Sequence, residues 1–445
     1  MAEFPIDHSS LLYPGAIDQL HSARVNCLDN YRRGFNALRI TENGCLYITL
    51  HASAVQPTNP FRLKFMRLSP ESGLEKDRKM KNLADLKQIG NDKGFAVVLI
   101  AIAMIALVGF VAIAIDVGYA YLVKGQLQNA ADAGALAGAG AIYPDNSSPS
   151  PAFPSPDFTE AEASASRFVR CNNAAGAVLT NNDIVSIRVG YWNLAQNPAG
   201  IQPQSTIPTG KCSTSGNMCS PTAVTGCAAI EPCLFQDVPA VQVTLQKSVP
   251  TFFARVFGFE AFSPRAAAVS AIGFPKKAQH VFPIAVTKCM VDDLFAAGHP
   301  TPLPDVEIGN PYGRVPGCNT GQWTSFTYCD PSASQIKNIL SGKDETPPLS
   351  IGTGICISTG VMASLVKEIP IGEVLELPVV ADATLTDPNT PTPISGFVSF
   401  EVVRIVGNGA NGIIQGHFLS YRRSPNFSSP GGPMGNTVTP PALIK

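Results

Sequence analysis

The sequence predicts an α+β protein built on one long N-terminal transmembrane helix that extends out of the membrane, followed by a small α+β domain and then a mainly-β domain. Three observations predict it. Residues 94–115 form an apolar run that no charge interrupts. The chain beyond it alternates short β-patterned runs with turn residues, with Gly and Pro each numbering 38. Nine of the 11 Cys follow the run, as suits an oxidising compartment.

Taken in order, residues 1–79 show no sustained helical or strand period and read as an irregular tail. Met80 opens a short basic leader over 80–93, and translation is expected to start there rather than upstream. The apolar run follows, and at 1.5 Å per residue it spans roughly 33 Å, about the thickness of a bilayer core. Lys76, Arg78, Lys79, Lys81, Lys87 and Lys93 precede it, whereas only Lys124 follows before Arg167. Positive charge stays inside, so the N-terminus is expected in the cytoplasm and the C-terminal bulk outside. Asp116 falls where the helix should leave the hydrocarbon, and an acid there can reach the interface, so it need not be a buried functional charge.

The helix is expected to continue to about residue 143, ended by Pro144 and the turn-rich Asp145–Pro149. Ala130, Gly134 and Gly138 recur every four residues and form a small-residue stripe on which another helix can approach closely. That helix belongs either to another chain, giving a homo- or hetero-oligomer, or to this protein's own domain.

Residues 94–141 resemble the N-terminal TadE/TadG-like segment of TadG-like proteins of tight-adherence (Flp) pilus assembly. The likeness rests on Gly94-Phe95-Ala96, the apolar run, Asp116-Val117-Gly118, and Leu127-Gln128-Asn129-Ala130-Ala131-Asp132-Ala133-Gly134-Ala135-Leu136-Ala137. It continues in Val249–Gly258 (VPTFFARVFG) and the Ala-rich Arg265–Ala271. The resemblance implies a bacterial inner-membrane protein whose partners are other Tad/Flp pilus-assembly or envelope proteins and the lipid bilayer. Longer family members carry a von Willebrand A domain with a DxSxS metal site, and Asp145–Pro149 departs from that pattern at its last position. Related pseudopilins carry a Glu five residues after a cleavage-site Gly, where Gly94 is followed by Leu99.

Residues 144–157 are rich in Pro and Ser and read as a linker. The α+β domain is expected over 158–274, with a helix at Phe158–Val169 and strands at Ile184–Trp192 and Val238–Lys247. Its loop carries Cys212, Cys219, Cys227 and Cys233, whose spacings lack the close pairs of a zinc knuckle, so disulfides are expected without a fixed pairing. Residues 275–423 read as mainly β, with strands at Val281–Val286, Trp323–Tyr328, Gly354–Ser358, Val374–Val380, Gly396–Val406 and Gly412–Leu419. Cys289, Cys318, Cys329 and Cys356 are placed to staple the loops between them. Cys171 is the odd one, either free or paired across domains. Residues 424–445, with several Pro and Gly, are expected to be disordered.

Chemistry is sparse. Gly407–Gly412 matches GxGxxG, yet a strand-like run follows where a dinucleotide site needs a helix, so a hairpin loop is expected. GxxxxGK[ST], HExxH and GxSxG patterns are absent, and His280, His299 and His417 read as surface or satisfied side chains. Asp292-Asp293 and Asp382/Asp387 are carboxylate pairs without a His or Glu cluster, Asp292-Asp293 being a weak calcium-loop pattern. Basic residues do not cluster with aromatics, which argues against nucleic acid. The expectation is a structural or accessory pilus component with no catalytic residue, metal or cofactor; the alternative is a tethered ligand-binding protein or enzyme with a site in 275–423.

Overall fold

The structure is a computed structural model. It describes residues 38–40, 46–48, 89–143, 156–213, 215–219, 232–295, 303–309, 315–329, 331–358, 365–381, 385, 389–407, 412–419, 422–433, 435 and 437–444. The linker at 144–155, Cys227, His299, Asp382 and Asp387 lie outside them. Two compact units divide the chain, Met1–Ile105 and Ala106–Lys445. In the first, Leu38–Ile40 pairs antiparallel with Leu46–Ile48, a short hairpin within the tail expected to be irregular.

Helix α1 runs over Ile89–Ala141 and holds one stretch long and apolar enough to cross a membrane. Its large apolar side chains from Phe95 to Ile115 are exposed. From Asp116 onward one stripe turns inward: Val123, Leu127, Ala130, Ala131, Ala135, Ala139 and Ile142, mostly spaced three or four residues apart, are buried. Helix α2 (Phe158–Arg170) is N-capped by Asp157, whose Oδ1 accepts the Glu160 N–H at 2.9 Å, and it buries Phe158, Ala161, Ala165 and Val169.

Both helices cover one face of an antiparallel sheet. Its central strands are β1 (Ile184–Asn193), β3 (Asp237–Gln246) and β6 (Arg265–Ala271), flanked by β2 (Ile201–Gln202) beside β1. Val241, Val243 and Leu245 of β3 point into the helical face, as their alternation predicts. Trp192, Val238, Ala240, Val269 and Ala271 form a second cluster elsewhere in this region. The Ala-rich β6 carries no strand signature of its own, and pairing with β3 (Val243↔Ala268) makes it a strand. A hairpin, β4 (Val249–Pro250) with β5 (Ala261–Phe262), links β3 to β6.

The second sheet runs in the spatial order β8 (Val306–Ile308), β12 (Ile413–Leu419), β11 (Thr392–Val406), β10 (Val374–Val380), β7 (Ile284–Thr287) and β9 (Gly321–Trp323). Along that path the pairings are antiparallel except for β7 with β10. Val406 opposes Ile413, so GxGxxG lies between two strands of a hairpin. Trp323–Tyr328 is strand only at its start, because Phe326 adopts a φ of +65°. Two short helices interrupt the β pattern without a sustained period to announce them, α3 (Lys288–Leu294) and α4 (Ala333–Leu340). The capping box Ser332/Gln335 is the readable signal for α4.

The C-terminal tail corrects the expectation of disorder. Phe427–Pro430 pairs with Pro275–Ala278, and β13 (Ala442–Leu443) joins the edge of the first sheet beside β6. Val438 is fully buried in the core beneath α1, and the Thr439 N–H donates to the Gly273 carbonyl at 2.7 Å. A few apolar residues placed against an open sheet edge outweigh a Pro/Gly-rich composition.

Candidate functional site

Disulfides join Cys219 to Cys233, Cys289 to Cys318 and Cys329 to Cys356. Cys171 and Cys212 are also disulfide-bonded, so Cys171 is not a free thiol. The first pair staples a small sheet of Gly210–Cys212, Met218–Cys219 and Cys233–Phe235. The calcium-loop reading of Asp292-Asp293 fails on geometry, since both lie on α3 and Asp292 pairs with Lys288 one turn away. His417 lies between two carboxylates, 3.5 Å from Asp305 and 3.3 Å from Glu401. Among the described residues no three His, Cys, Asp or Glu side chains converge as metal ligands. An open depression of about 420 Å³ is lined by Leu194, Lys211, Leu234, Phe235 and Lys276 among others, apart from the second sheet.

The residues quoted for the family resemblance instead gather along α1. A Cβ on Gly134 would lie 2.6 Å from Val169 Cγ2 and 3.5 Å from Val243 Cγ2. One on Gly138 would lie 2.9 Å from both the Ala161 carbonyl oxygen and Ala165 Cβ, and 3.0 Å from Val241 Cγ1. The small stripe therefore seats α1 in the groove between α2 and β3, and the chain's own helix occupies it. Leu127, Ala130, Ala131 and Ala135 are fully buried in the same seam, while Asn129 on the opposite side is exposed. Gln128 donates to Asp132 at 2.8 Å and to the Ala267 carbonyl at 3.1 Å, tying α1 to β6. Gln126 Oε1 accepts the Ala175 N–H at 2.8 Å. Gly94 and Leu136 lie in the same helix.

At the membrane end of the seam, Asp116 is a buried charge after all, where the sequence did not require one. It is only 2 % exposed, and its carboxylate accepts three consecutive backbone N–H groups, from Phe252 at 2.8 Å, Phe253 at 2.9 Å and Ala254 at 2.6 Å. These amides open a 3₁₀ turn, Ala254–Phe257, at the tip of the β4–β5 hairpin. No side chain of the turn caps it, so the cap comes from α1, 136 residues earlier. Gly258, at φ +87°, closes the turn, a conformation that L side chains avoid. Arg255 folds back onto the Thr251 carbonyl, and the Tyr119 and Phe252 rings meet edge-on at 5.5 Å. At the other end of α1, the Arg423 guanidinium donates to the Gly140 and Tyr143 carbonyls, a cation at a helix C-terminus. Nothing in the sequence around Arg423 marks it for this role.

Two comparisons with known families locate these contacts. Residues 94–141 match the Flp pilus-assembly TadE/G-like family, and residues 137–272 match the Tad-like Flp pilus-assembly family. No curated protein and no solved structure matches the chain. The Asp116 cap and the Gly134/Gly138 seam each join the first matched region to the second, and over residues 94–272 the chain is similar to the TadG-like Flp pilus-assembly family.

Proposed function

We propose that the protein is a membrane-anchored structural component of a Tad/Flp-type pilus-assembly or secretion apparatus that acts through envelope protein contacts rather than catalysis. The observation that carries this reading is that α1 supplies both an exposed apolar stretch and, from Asp116 to Ala141, the central helix of the folded core. A span that is also a core helix has the design of an anchor for its domain. The cations before residue 94 and the disulfides in 158–274 and 275–423 favour a bacterial inner membrane with the N-terminus in the cytoplasm and the folded domains outside it. Domain boundaries follow the same reading, with an anchor over 94–143, an α+β domain over 158–274 and a mainly-β domain over 275–423.

The test pairs topology with assembly. Single cysteines at residue 88 and in an exposed loop beyond 156 are probed in intact cells with an impermeant maleimide, and neighbours are then captured by photo-cross-linkers on exposed faces of the second sheet. Labelling beyond 156 but not at 88, with pilus-assembly proteins cross-linked, is the expected result. The reverse labelling overturns the orientation, and loss of the protein with pili unchanged overturns the function.

A further inference from the structure

The hairpin tip that Asp116 caps is unusually apolar for a surface turn. Phe252, Phe253, Val256, Phe257 and Phe259 are all exposed, Val256 at 82 % and Phe259 at 63 %. Five large apolar side chains on one short turn form a patch that water penalises. Its place in the fold identifies what covers it. The tip is bound to Asp116, the first charge after the apolar run, and Phe252 meets Tyr119 edge-on one turn further along the same helix. The apolar run over 94–115, at 1.5 Å per residue, measures roughly 33 Å and fills a bilayer core, so Asp116 lies at its border and the tip lies at headgroup depth. Aromatic and aliphatic side chains beside a span at that depth are suited to the boundary between headgroups and acyl chains.

We propose that the 251–259 turn is a second membrane contact, inserting Phe253, Val256, Phe257 and Phe259 into the leaflet next to residue 116. The partner is the lipid interface, continuous with the surface that α1 presents to the same bilayer. Asp116 then has a defined task, because its carboxylate pins the turn to the helix at the level where the helix leaves the hydrocarbon. The backbone N–H groups at the start of the turn, which lipid cannot satisfy, are satisfied by that carboxylate. This inference rests on the reading of α1 as a span.

The test is depth-resolved quenching on the full chain reconstituted in phosphatidylcholine vesicles carrying brominated acyl chains. The natural Trp192 and Trp323 are buried and supply a constant background. Phe257→Trp is expected to emit at blue-shifted wavelength and to lose about half its added emission to bromines placed near the headgroups, with less loss to bromines near the chain ends. Val256→Trp is the second probe, at a site whose exposure leaves the fold unaffected. A red-shifted, unquenched tryptophan at both sites overturns the proposal. So does a blue-shifted tryptophan that bromines do not reach, since that outcome means a protein covers the turn. Leu107→Trp separates the two readings: quenched at 107 but not at 256 or 257 removes the second contact and keeps the span, whereas no quenching at 107 removes the span itself.

Discussion

Gly138 shows how narrowly a single position can be set. In an exposed helix interior, Gly→Ala is favourable by roughly 1 kcal/mol. At Gly138 the new methyl group meets the Ala161 carbonyl, which cannot rotate away, and Ala165 Cβ. Gly138→Ala is therefore expected to destabilise the folded region by about 1–3 kcal/mol, whereas Gly125→Ala, with nothing within 4 Å, should be neutral or stabilising. Thermal unfolding in detergent compares the two. Glu376 poses a different residue-scale problem. Burial on β10 pushes its carboxyl above the usual carboxylate range, with partial relief from the Ser399 hydroxyl at 2.7 Å, from Ser424 and from Arg422. Because the folded protein holds this proton more tightly than the unfolded chain does, stability falls as pH rises from the ordinary carboxylate range through the raised value. Glu376→Gln keeps a group for Ser399 without the charge. It should raise stability near neutral pH and change little in acid where the parent carboxyl is already protonated, as denaturant titrations under the two conditions will show.

At the scale of elements, the strongly periodic pieces were legible. The alternation in Val238–Lys247 found β3 within one residue at each end, and the amphipathic spacing of Phe158–Val169 found α2. What could not be read were structures whose cause lies elsewhere in the chain. β6 is a strand because β3 has an open edge, and the turn after Pro250 exists because Asp116 supplies its cap. The same logic hid the destination of the small stripe: spacing shows that a helix approaches, but not whose helix. Asp116→Ala should loosen the hairpin tip while leaving β3 and β6 paired. Hydrogen exchange at the Phe252, Phe253 and Ala254 amides should accelerate about tenfold or more, with β3 amides little changed. Protection at the tip equal to that of the parent protein would show that the carboxylate is dispensable. Asp183 makes a comparable cap near β1. Burial opposes its charge, but the Thr180 N–H and hydroxyl and Lys247 outweigh it and hold the carboxyl below its ordinary range. Its contribution is present above the unfolded value and fades as pH falls through the lower, folded one.

For the whole molecule, two kinds of long-range tie matter. Cys289–Cys318 and Cys329–Cys356 close loops of 29 and 27 residues, each worth about 3–4 kcal/mol in the chain-entropy model. Reduction should therefore lower the unfolding midpoint of the second sheet, and a Cys289→Ser/Cys318→Ser variant should reproduce part of that loss without reductant. The other tie is the C-terminal segment. Val438 enters the core beneath α1, β13 extends the first sheet, and Arg423 caps α1. The composition of 424–445 conceals the first two and the neighbourhood of Arg423 the third, because each depends on a surface made by residues far earlier in the chain. This arrangement sets an order of events. Residues 437–443 are synthesised after the whole of the second sheet, yet they complete the first. If the chain is passed across the membrane from its N-terminal side, the α1 core waits with one helix end open until Arg423 arrives and with one sheet edge open until β13 does. A chain halted in export before this point would thus keep its membrane helix but not a finished α1 domain, which makes arrival of residues 437–443 the step that closes that domain.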